Sequence, residues 1–158
     1  MAARKGKAMQ VSELNAHIGF WMRIVSNNVS YAFSHKLMTS GVTVAEWVIM
    51  REMFSVDGTT SSSVIAELTG LSRGAVSKLI SRLLEKGLVT RKESGGDRRY
   101  QDIELTQTAV KLVPKLSAYA DQNDEEFFSV ITKTERKTLL AILKKTAKIH
   151  KFTKIQIQ

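Results

Sequence analysis

An apolar stripe between two glycines, Gly70 and Gly87, is the feature that most constrains what this chain can fold into. Apolar residues recur there every three or four positions, as they do along one face of a helix: Val76, Leu79, Ile80, Leu83 and Leu84. Ser72 is well suited to accept the N-cap hydrogen bonds of this helix, which runs to Lys86 before Gly87 terminates it. Just upstream, the Ser/Thr-rich run 59–63 caps a shorter helix that ends at Gly70. The sequence therefore predicts two helices joined by a short glycine-containing turn, a helix-turn-helix arrangement.

The opposite face of the second helix is small, polar and cationic. Such a face fits the major groove of duplex DNA, where Arg73 and Lys78 can reach guanine acceptors or phosphates and Gly74 lets the backbone approach closely. Any helical hairpin shows a turn glycine and one apolar stripe, so the DNA-binding interpretation needs a second feature. The predicted DNA contacts of this helix and its N-cap are Ser72, Arg73, Gly74, Ser77, Lys78, Ser81 and Arg82.

A predicted β-hairpin over 88–94 and 100–106 supplies that second feature. Its second strand alternates apolar Ile103 and Leu105 with acidic residues. The tip reads Gly-Gly-Asp-Arg-Arg, and an ordinary solvated turn would need only the Gly-Gly-Asp part. Two adjacent arginines, Arg98 and Arg99, suit the narrow and electronegative minor groove. Because this tip follows the cationic helix directly, we favour DNA binding over a solvated turn.

Composition excludes several other classes of function. Residues 72–100 hold eight basic residues against three acidic ones, in a chain of formal net charge +9. There is no cysteine, and the three histidines are scattered, which predicts no metal site. No apolar run reaches the roughly 18 residues of a membrane span, and the first residues lack a secretion signal, so we expect a cytoplasmic protein without a membrane partner. No phosphate loop, nucleophile elbow or His-centred constellation is found, which predicts neither an enzyme nor a cofactor.

Long helices are predicted on both sides of this central segment. The first runs from Val11 to about Ser40, and a shorter one follows over 44–54. After 106, a long helix is interrupted and kinked by Pro114, the acidic stretch 121–126 faces solvent, and a final helix starts near Thr134. Apolar faces on these terminal helices need a partner surface. A second subunit would provide one, and burial within one subunit is the alternative that the sequence leaves open.

The chain resembles the MarR family of bacterial winged helix-turn-helix regulators over nearly its whole length. The resemblance is carried by "VAEWVIMREM", "SSSVIAELTGLSRGAVSKLISRLLEKGLVTRK" and the wing "GDRRYQDIELT". It implies one mainly α domain over 1–158 with a small β-hairpin wing, in which 43–105 form the DNA-binding lobe. Residues 11–40 and 106–158 would then form N- and C-terminal dimerisation helices.

Residue roles in the wing follow from this resemblance. It implies that Arg99 reaches DNA and that Asp97 orients the wing by ion pairing. Where the family usually has glycine after the second strand, this chain has Ala109, which is the better helix former.

The predicted function is a sequence-specific regulator of transcription, a ligand-responsive homodimeric repressor that binds double-stranded DNA at a pseudo-palindromic operator. The alternative is a winged-helix protein-interaction module without operator binding, and an enzyme ranks third. The resemblance places effectors between the dimer helices and the lobe. The candidate contacts for a small aromatic or anionic effector, such as a phenol or aromatic carboxylate, are His17, Trp21, Arg23 and Trp47. The competing interpretation puts both tryptophans in the core and the other two side chains in water.

Overall fold

Six α-helices and one β-hairpin account for most of residues 11–56, 58–93 and 101–151, which are the residues that the computed structural model describes. The helices are α1 (Ile18–Met38), α2 (Val44–Val56), α3 (Ser62–Thr69), α4 (Arg73–Glu85), α5 (Gln107–Phe127) and α6 (Lys133–Ile149). The antiparallel strands are β1 (Val89–Glu93) and β2 (Gln101–Leu105), with Arg91 opposite Ile103. The predicted mainly α fold with a small hairpin is confirmed.

Local capping defines the turn between α3 and α4. The Ser61 hydroxyl accepts a hydrogen bond from the Val64 amide at 3.3 Å, and the Ser72 hydroxyl accepts one from the Ala75 amide at 3.2 Å. Gly70 has a φ of 73°, a left-handed conformation that glycine adopts without the steric cost of a Cβ atom. Each helix therefore starts and stops where the sequence predicts.

The hairpin has a third partner that the sequence pattern does not reveal. The Thr60 amide donates to the Ile103 carbonyl at 2.9 Å, and the Ile103 amide donates to the Thr60 carbonyl at 2.7 Å. We predicted the run around Thr60 only as a helix cap. In the structure this residue also forms an isolated antiparallel bridge with β2, which ties the start of α3 to the sheet.

The core lies where α2, α3, α4 and the hairpin meet the end of α1 and the first half of α5. Its fully covered members come from all of these elements, and burying such side chains is the main stabilising contribution to a fold of this size. The largest of them are Leu37, Ile49, Met50, Ile65, Ile80, Leu83, Ile103 and Leu116. The helix-turn-helix is therefore held by long-range packing as well as by its own caps.

The first long helix begins later than predicted. We expected helix from Val11, but residues 14–16 form a short 3-10 turn and His17 is extended, with φ −96° and ψ 126°. The indole N–H of Trp21 donates to the Asn15 carbonyl at 2.8 Å, which holds this turn against the start of α1. The predicted start was wrong because apolar periodicity alone would extend the helix to Val11, whereas this side-chain hydrogen bond favours a turn.

The interruption predicted at Pro114 is also wrong, since α5 runs unbroken from Gln107 to Phe127, whereas the kink predicted there stays a prediction. Proline removes one backbone donor from the helix ladder. Val113 and Leu116, on either side of it, are both buried in the core. Packing of these side chains maintains the helical path where propensity alone would end it.

The acidic stretch 121–126 faces solvent with its carboxylates, as predicted, but it is not an unpaired surface. Glu126 accepts from the Lys36 ammonium at 2.5 Å, and Arg136 binds Asp124 at 2.5 Å and also Glu125. Asn123 is an exception to the solvent-facing prediction, because it is buried and its amide donates to the Val29 carbonyl at 3.2 Å. This segment therefore joins α5 to both α1 and α6.

Candidate nucleic-acid interface

The outer face of α4 is exposed and cationic, while its inner face carries buried core residues. Arg73, Lys78 and Arg82 project from the exposed side, and none of them forms an ion pair with any part of the chain that the structure describes. Unpaired cations on one helix face produce a local positive potential that attracts polyanions. The other predicted contact residues, Ser72, Gly74, Ser77 and Ser81, are exposed on the same helix and its cap.

The three serines of this face differ in what their hydroxyl groups already do. Ser72 caps α4, and the Ser81 hydroxyl donates to the Ser77 carbonyl at 3.0 Å. The Ser77 hydroxyl has no hydrogen-bond partner within the described ranges. Its donor and its acceptor are therefore both available to a ligand on this face.

Gly74 is not required by the fold around it. A Cβ atom added there would meet no atom within 4 Å, and the residue lies within regular helix. Glycine inside a helix costs about 1 kcal/mol relative to alanine. The bare backbone at Gly74 therefore leaves room for a ligand to approach this face closely.

An ion pair that sequence reasoning missed holds the C-terminal end of α4. The Lys86 ammonium donates to Glu46 Oε1 at 2.9 Å, to Glu46 Oε2 at 2.7 Å and to the Gly41 carbonyl at 2.7 Å. Glu46 also receives the Thr43 amide at 2.8 Å, while the Thr43 hydroxyl receives the Glu46 amide at 3.2 Å. The Thr-x-x-Glu spacing is the signature of a capping box and could have identified half of this cluster.

Burial raises the pKa of Glu46, but hydrogen bonds from Lys86 and Thr43 outweigh it and hold that pKa below its usual range. A carboxyl group whose folded-state pKa is lowered contributes stability above its unfolded pKa. That contribution is lost as the pH falls through the folded-state value. The Lys86–Glu46 pair therefore contributes stability at neutral pH, and acid removes that contribution.

The predicted wing contacts, Asp97, Arg98 and Arg99, lie outside the described residues. The base of the hairpin is described, and there Lys92 donates to Glu104 across the strands at 3.1 Å. The hairpin follows α4 directly, since only Lys86, Gly87 and Leu88 separate them. The cationic helix and the base of the wing are thus neighbours in one lobe.

Comparisons with known proteins identify this lobe. A family model described as MarR family matches residues 40–99. The resemblance to the MarR family is confirmed. The matched residues begin two positions after α1 ends, contain α2, α3, α4 and β1, and extend six residues beyond β1.

Solved structures of the same fold extend beyond that segment. A mutant MarR from E. coli complexed with operator DNA aligns with a TM-score of 0.74 at 21% identity, over 85% of this chain and 99% of its own. The S. aureus MepR–DNA complex aligns with a TM-score of 0.73 at 22% identity, over 84% of this chain and 97% of its own. Bordetella bronchiseptica BpsR, whose DNA binding is regulated by 6-hydroxynicotinic acid, aligns with a TM-score of 0.75 at 21% identity, over 87% of this chain and 98% of its own. At these identities the likeness shows the fold, a winged helix-turn-helix with flanking helices.

The four predicted effector contacts do not come together beside the lobe that the family model matches. Trp47 packs edge-to-face on Phe33 of α1, with ring centroids 5.1 Å apart. Trp21 precedes Phe33 by twelve residues on α1, which is about 18 Å along the helix axis. His17 lies next to the Ser12 hydroxyl at 3.2 Å, and Arg23 is exposed. Trp21 is 52% exposed and so is not a core residue of this chain by itself. The role of these residues in effector binding stays a prediction.

Outside the lobe that the family model matches, α1 and α6 border an apolar groove of about 740 Å³. None of the residues of α6 is buried, although one side of this helix is apolar. Burial within one subunit, the alternative left open by the sequence, does not occur for this helix. The groove is lined by residues that include Trp21, Met22, Val25, Phe128, Leu139 and Leu143.

The sequence predicts neither a membrane span nor a metal site. In the described ranges, no helix combines the length and apolarity needed to cross a membrane. The same ranges contain no group of three or more side chains suited to hold a metal ion. The expectations of no cofactor and no enzymatic activity stay predictions.

Proposed function

We propose that this chain is a cytoplasmic, homodimeric repressor of transcription that binds duplex DNA sequence-specifically. The observation that carries the proposal is the exposed face of α4, which presents Gly74 together with three cations that form no ion pair with the described residues. A helix with a cationic face and a bare backbone position is suited to enter a major groove. The DNA-bound structures of the E. coli MarR mutant and of S. aureus MepR support this choice of ligand.

The proposed contacts divide by the kind of information they read. Arg73 and Ser77 would contact base edges, which distinguish base pairs in the major groove. Lys78 and Arg82 would contact phosphates, which position the protein without reading sequence. In the wing, Arg98 and Arg99 would enter the minor groove, with Asp97 orienting them.

The apolar groove between α1 and α6 supports the homodimer. An exposed apolar surface of this kind marks an interaction site in a soluble protein. Two copies related by a two-fold axis would present two α4 helices to a pseudo-palindromic operator. In this proposal, residues 43–105 form the DNA-binding lobe and 11–40 with 106–158 form the dimerisation helices of one domain.

DNA binding should depend steeply on salt, because each phosphate contact releases condensed counterions. The logarithm of the association constant is expected to fall against the logarithm of salt concentration with a slope of about −0.9 per contact. Lys78→Gln should make the slope less steep by about one contact, while Lys111→Gln, which removes an exposed lysine on α5, should leave it unchanged. Fluorescence anisotropy of a labelled operator duplex at several salt concentrations measures both slopes. A flat response in the wild-type protein would remove the electrostatic basis of the proposal.

The effector proposed here is a small aromatic carboxylate or phenol. Trp21 lines the groove that a second copy would cover, so its ring would meet a ligand at the subunit interface. Arg23, two residues later on α1, is exposed and offers a cation for an acidic group. Titration with salicylate should quench tryptophan fluorescence saturably in the wild type and not in Trp21→Phe, with parallel release of DNA. Release that persists in Trp21→Phe and in Arg23→Ala would locate the effector site elsewhere.

A further inference from the structure

The geometry points to Lys86 as a positioning residue that aligns α4 for base selection without touching DNA. This inference rests on the proposed function, since it concerns how α4 selects sequence. The Lys86 side chain joins the C-terminal end of α4 to the turn between α1 and α2 and to the first turn of α2. One residue thus connects three helices at a point remote in sequence from both of its partners.

The Lys86 ammonium group has no donor left for a phosphate. It has three N–H donors, and three acceptors lie within hydrogen-bond distance: both Glu46 oxygens and the Gly41 carbonyl. Its side chain is 37% exposed, so solvent reaches it, but its charge is directed inward. Lys86 therefore differs from Lys78, whose ammonium group is unpaired within the described chain.

Glu46 in turn is held in one position. Its side chain is 1% exposed, and its Oε2 also accepts from the Thr43 amide in the capping box of α2. A buried carboxylate that loses its cation is strongly unfavourable, so the pair resists separation. The C-terminal end of α4 is therefore joined to α2 through a carboxylate that burial and the capping box hold in place.

Small changes at this end of α4 matter at the other end, where the proposed base contacts lie. A helix of 13 residues is about 20 Å long, so a tilt of about 3° about its C-terminus moves its N-terminus by about 1 Å. Productive contacts require positions within about 0.5 Å. Releasing Lys86 would therefore misplace Arg73 and Ser77 while leaving the cationic face intact.

The test compares Lys86→Gln with Lys111→Gln, which also removes an exposed lysine charge. For Lys86→Gln, the ratio of affinities for an operator duplex and a duplex mutated at one half-site base pair should fall about tenfold, the worth of one good base contact. The salt slope should match the wild type. Lys86→Arg, which can pair with the carboxylate, should recover most of the ratio. Glu46→Gln should cause a smaller loss in the same direction, because Gln keeps one acceptor.

A second readout does not require DNA. Amide hydrogen exchange near the end of α4, at Lys86 and Gly87, should be accelerated in Lys86→Gln by a larger factor than exchange at Val76 and Leu79. An unchanged exchange pattern or an unchanged affinity ratio would overturn the positioning role. A salt slope in Lys86→Gln that is less steep by about 0.9, the value of one phosphate contact, would also overturn this role, since it would make Lys86 a phosphate ligand. Absence of DNA binding in the wild-type protein would count against the proposed function, and hydrogen exchange would still decide the local role of Lys86.

Discussion

Leu143→Glu is expected to make the protein monomeric and to weaken its binding to a duplex with two half-sites by roughly 10²-fold or more. Leu143 lines the apolar groove between α1 and α6 and is 40% exposed in the single chain. A second copy that covers the groove would bury this side chain, and a carboxylate there would lose its water without gaining a partner. Binding of both half-sites would then no longer be linked, which removes the gain from effective concentration.

Ala141→Glu is the matched control for this prediction. Ala141 is exposed on the same helix, lies away from the groove lining and undergoes the same change of one charge. Sedimentation equilibrium should give a dimer for the wild type and for Ala141→Glu, and a monomer for Leu143→Glu. A Leu143→Glu protein that stays dimeric and keeps its operator affinity would show that the subunits associate through another surface.

Ile80→Ala is expected to lower the free energy of unfolding by about 2–5 kcal/mol. The Ile80 side chain is fully buried and packs α4 against the core. Truncation removes its apolar transfer energy and leaves a cavity that the well-packed surroundings fill only in part. Because the substitution leaves the exposed face of α4 unchanged, we expect it to lower the stability of the fold without removing any proposed DNA contact.

Urea denaturation followed by circular dichroism measures this loss as a lower midpoint with an unchanged slope. Ser81→Ala, at the adjacent and exposed position, should stay within about 0.5 kcal/mol of the wild type. Equal midpoints for Ile80→Ala and Ser81→Ala would mean that α4 is not anchored through this residue. Because a dimer is more stable at higher concentration, all variants are compared at one protein concentration.

The parts of the fold that the sequence predicts well are those with local causes. Ser61 and Ser72 cap helices through amides three residues away, and Gly70 ends α3 within the same short segment. Such bonds depend on neighbours in the chain and leave a readable spacing. The exposed and buried faces of α4 follow from periodicity for the same reason, and the structure places each predicted residue of that face in solvent.

Long-range pairs leave no such spacing. Lys86 meets Glu46 across 40 positions, and Thr60 meets Ile103 through backbone atoms, which carry no side-chain pattern at all. Pro114 shows the converse, a local signal that tertiary packing overrides. These features become visible only when the elements have been brought together.

Periodicity also cannot say what covers an apolar face. The apolar stripe of α1, which includes Ile18, Trp21 and Val25, has the same pattern whether it packs inside one chain or between two. The helical repeat records only that one side avoids water. In the structure the first half of this stripe is exposed, while Phe33 and Leu37, near the end of the helix, are buried in the core. The first part of α1 is thus exposed in the single chain and its last part is buried in the core. The sequence pattern does not show where along the helix this change in burial occurs.

Thr106 connects the hairpin to α5 through three hydrogen bonds. Its amide donates to the Leu88 carbonyl at 3.0 Å, its hydroxyl donates to the Gly87 carbonyl at 2.9 Å, and the same hydroxyl accepts from the Ala109 amide at 3.2 Å. One residue thus caps α5 and binds the base of the hairpin. Any reorientation of α5 that keeps these bonds must carry the base of the hairpin with it.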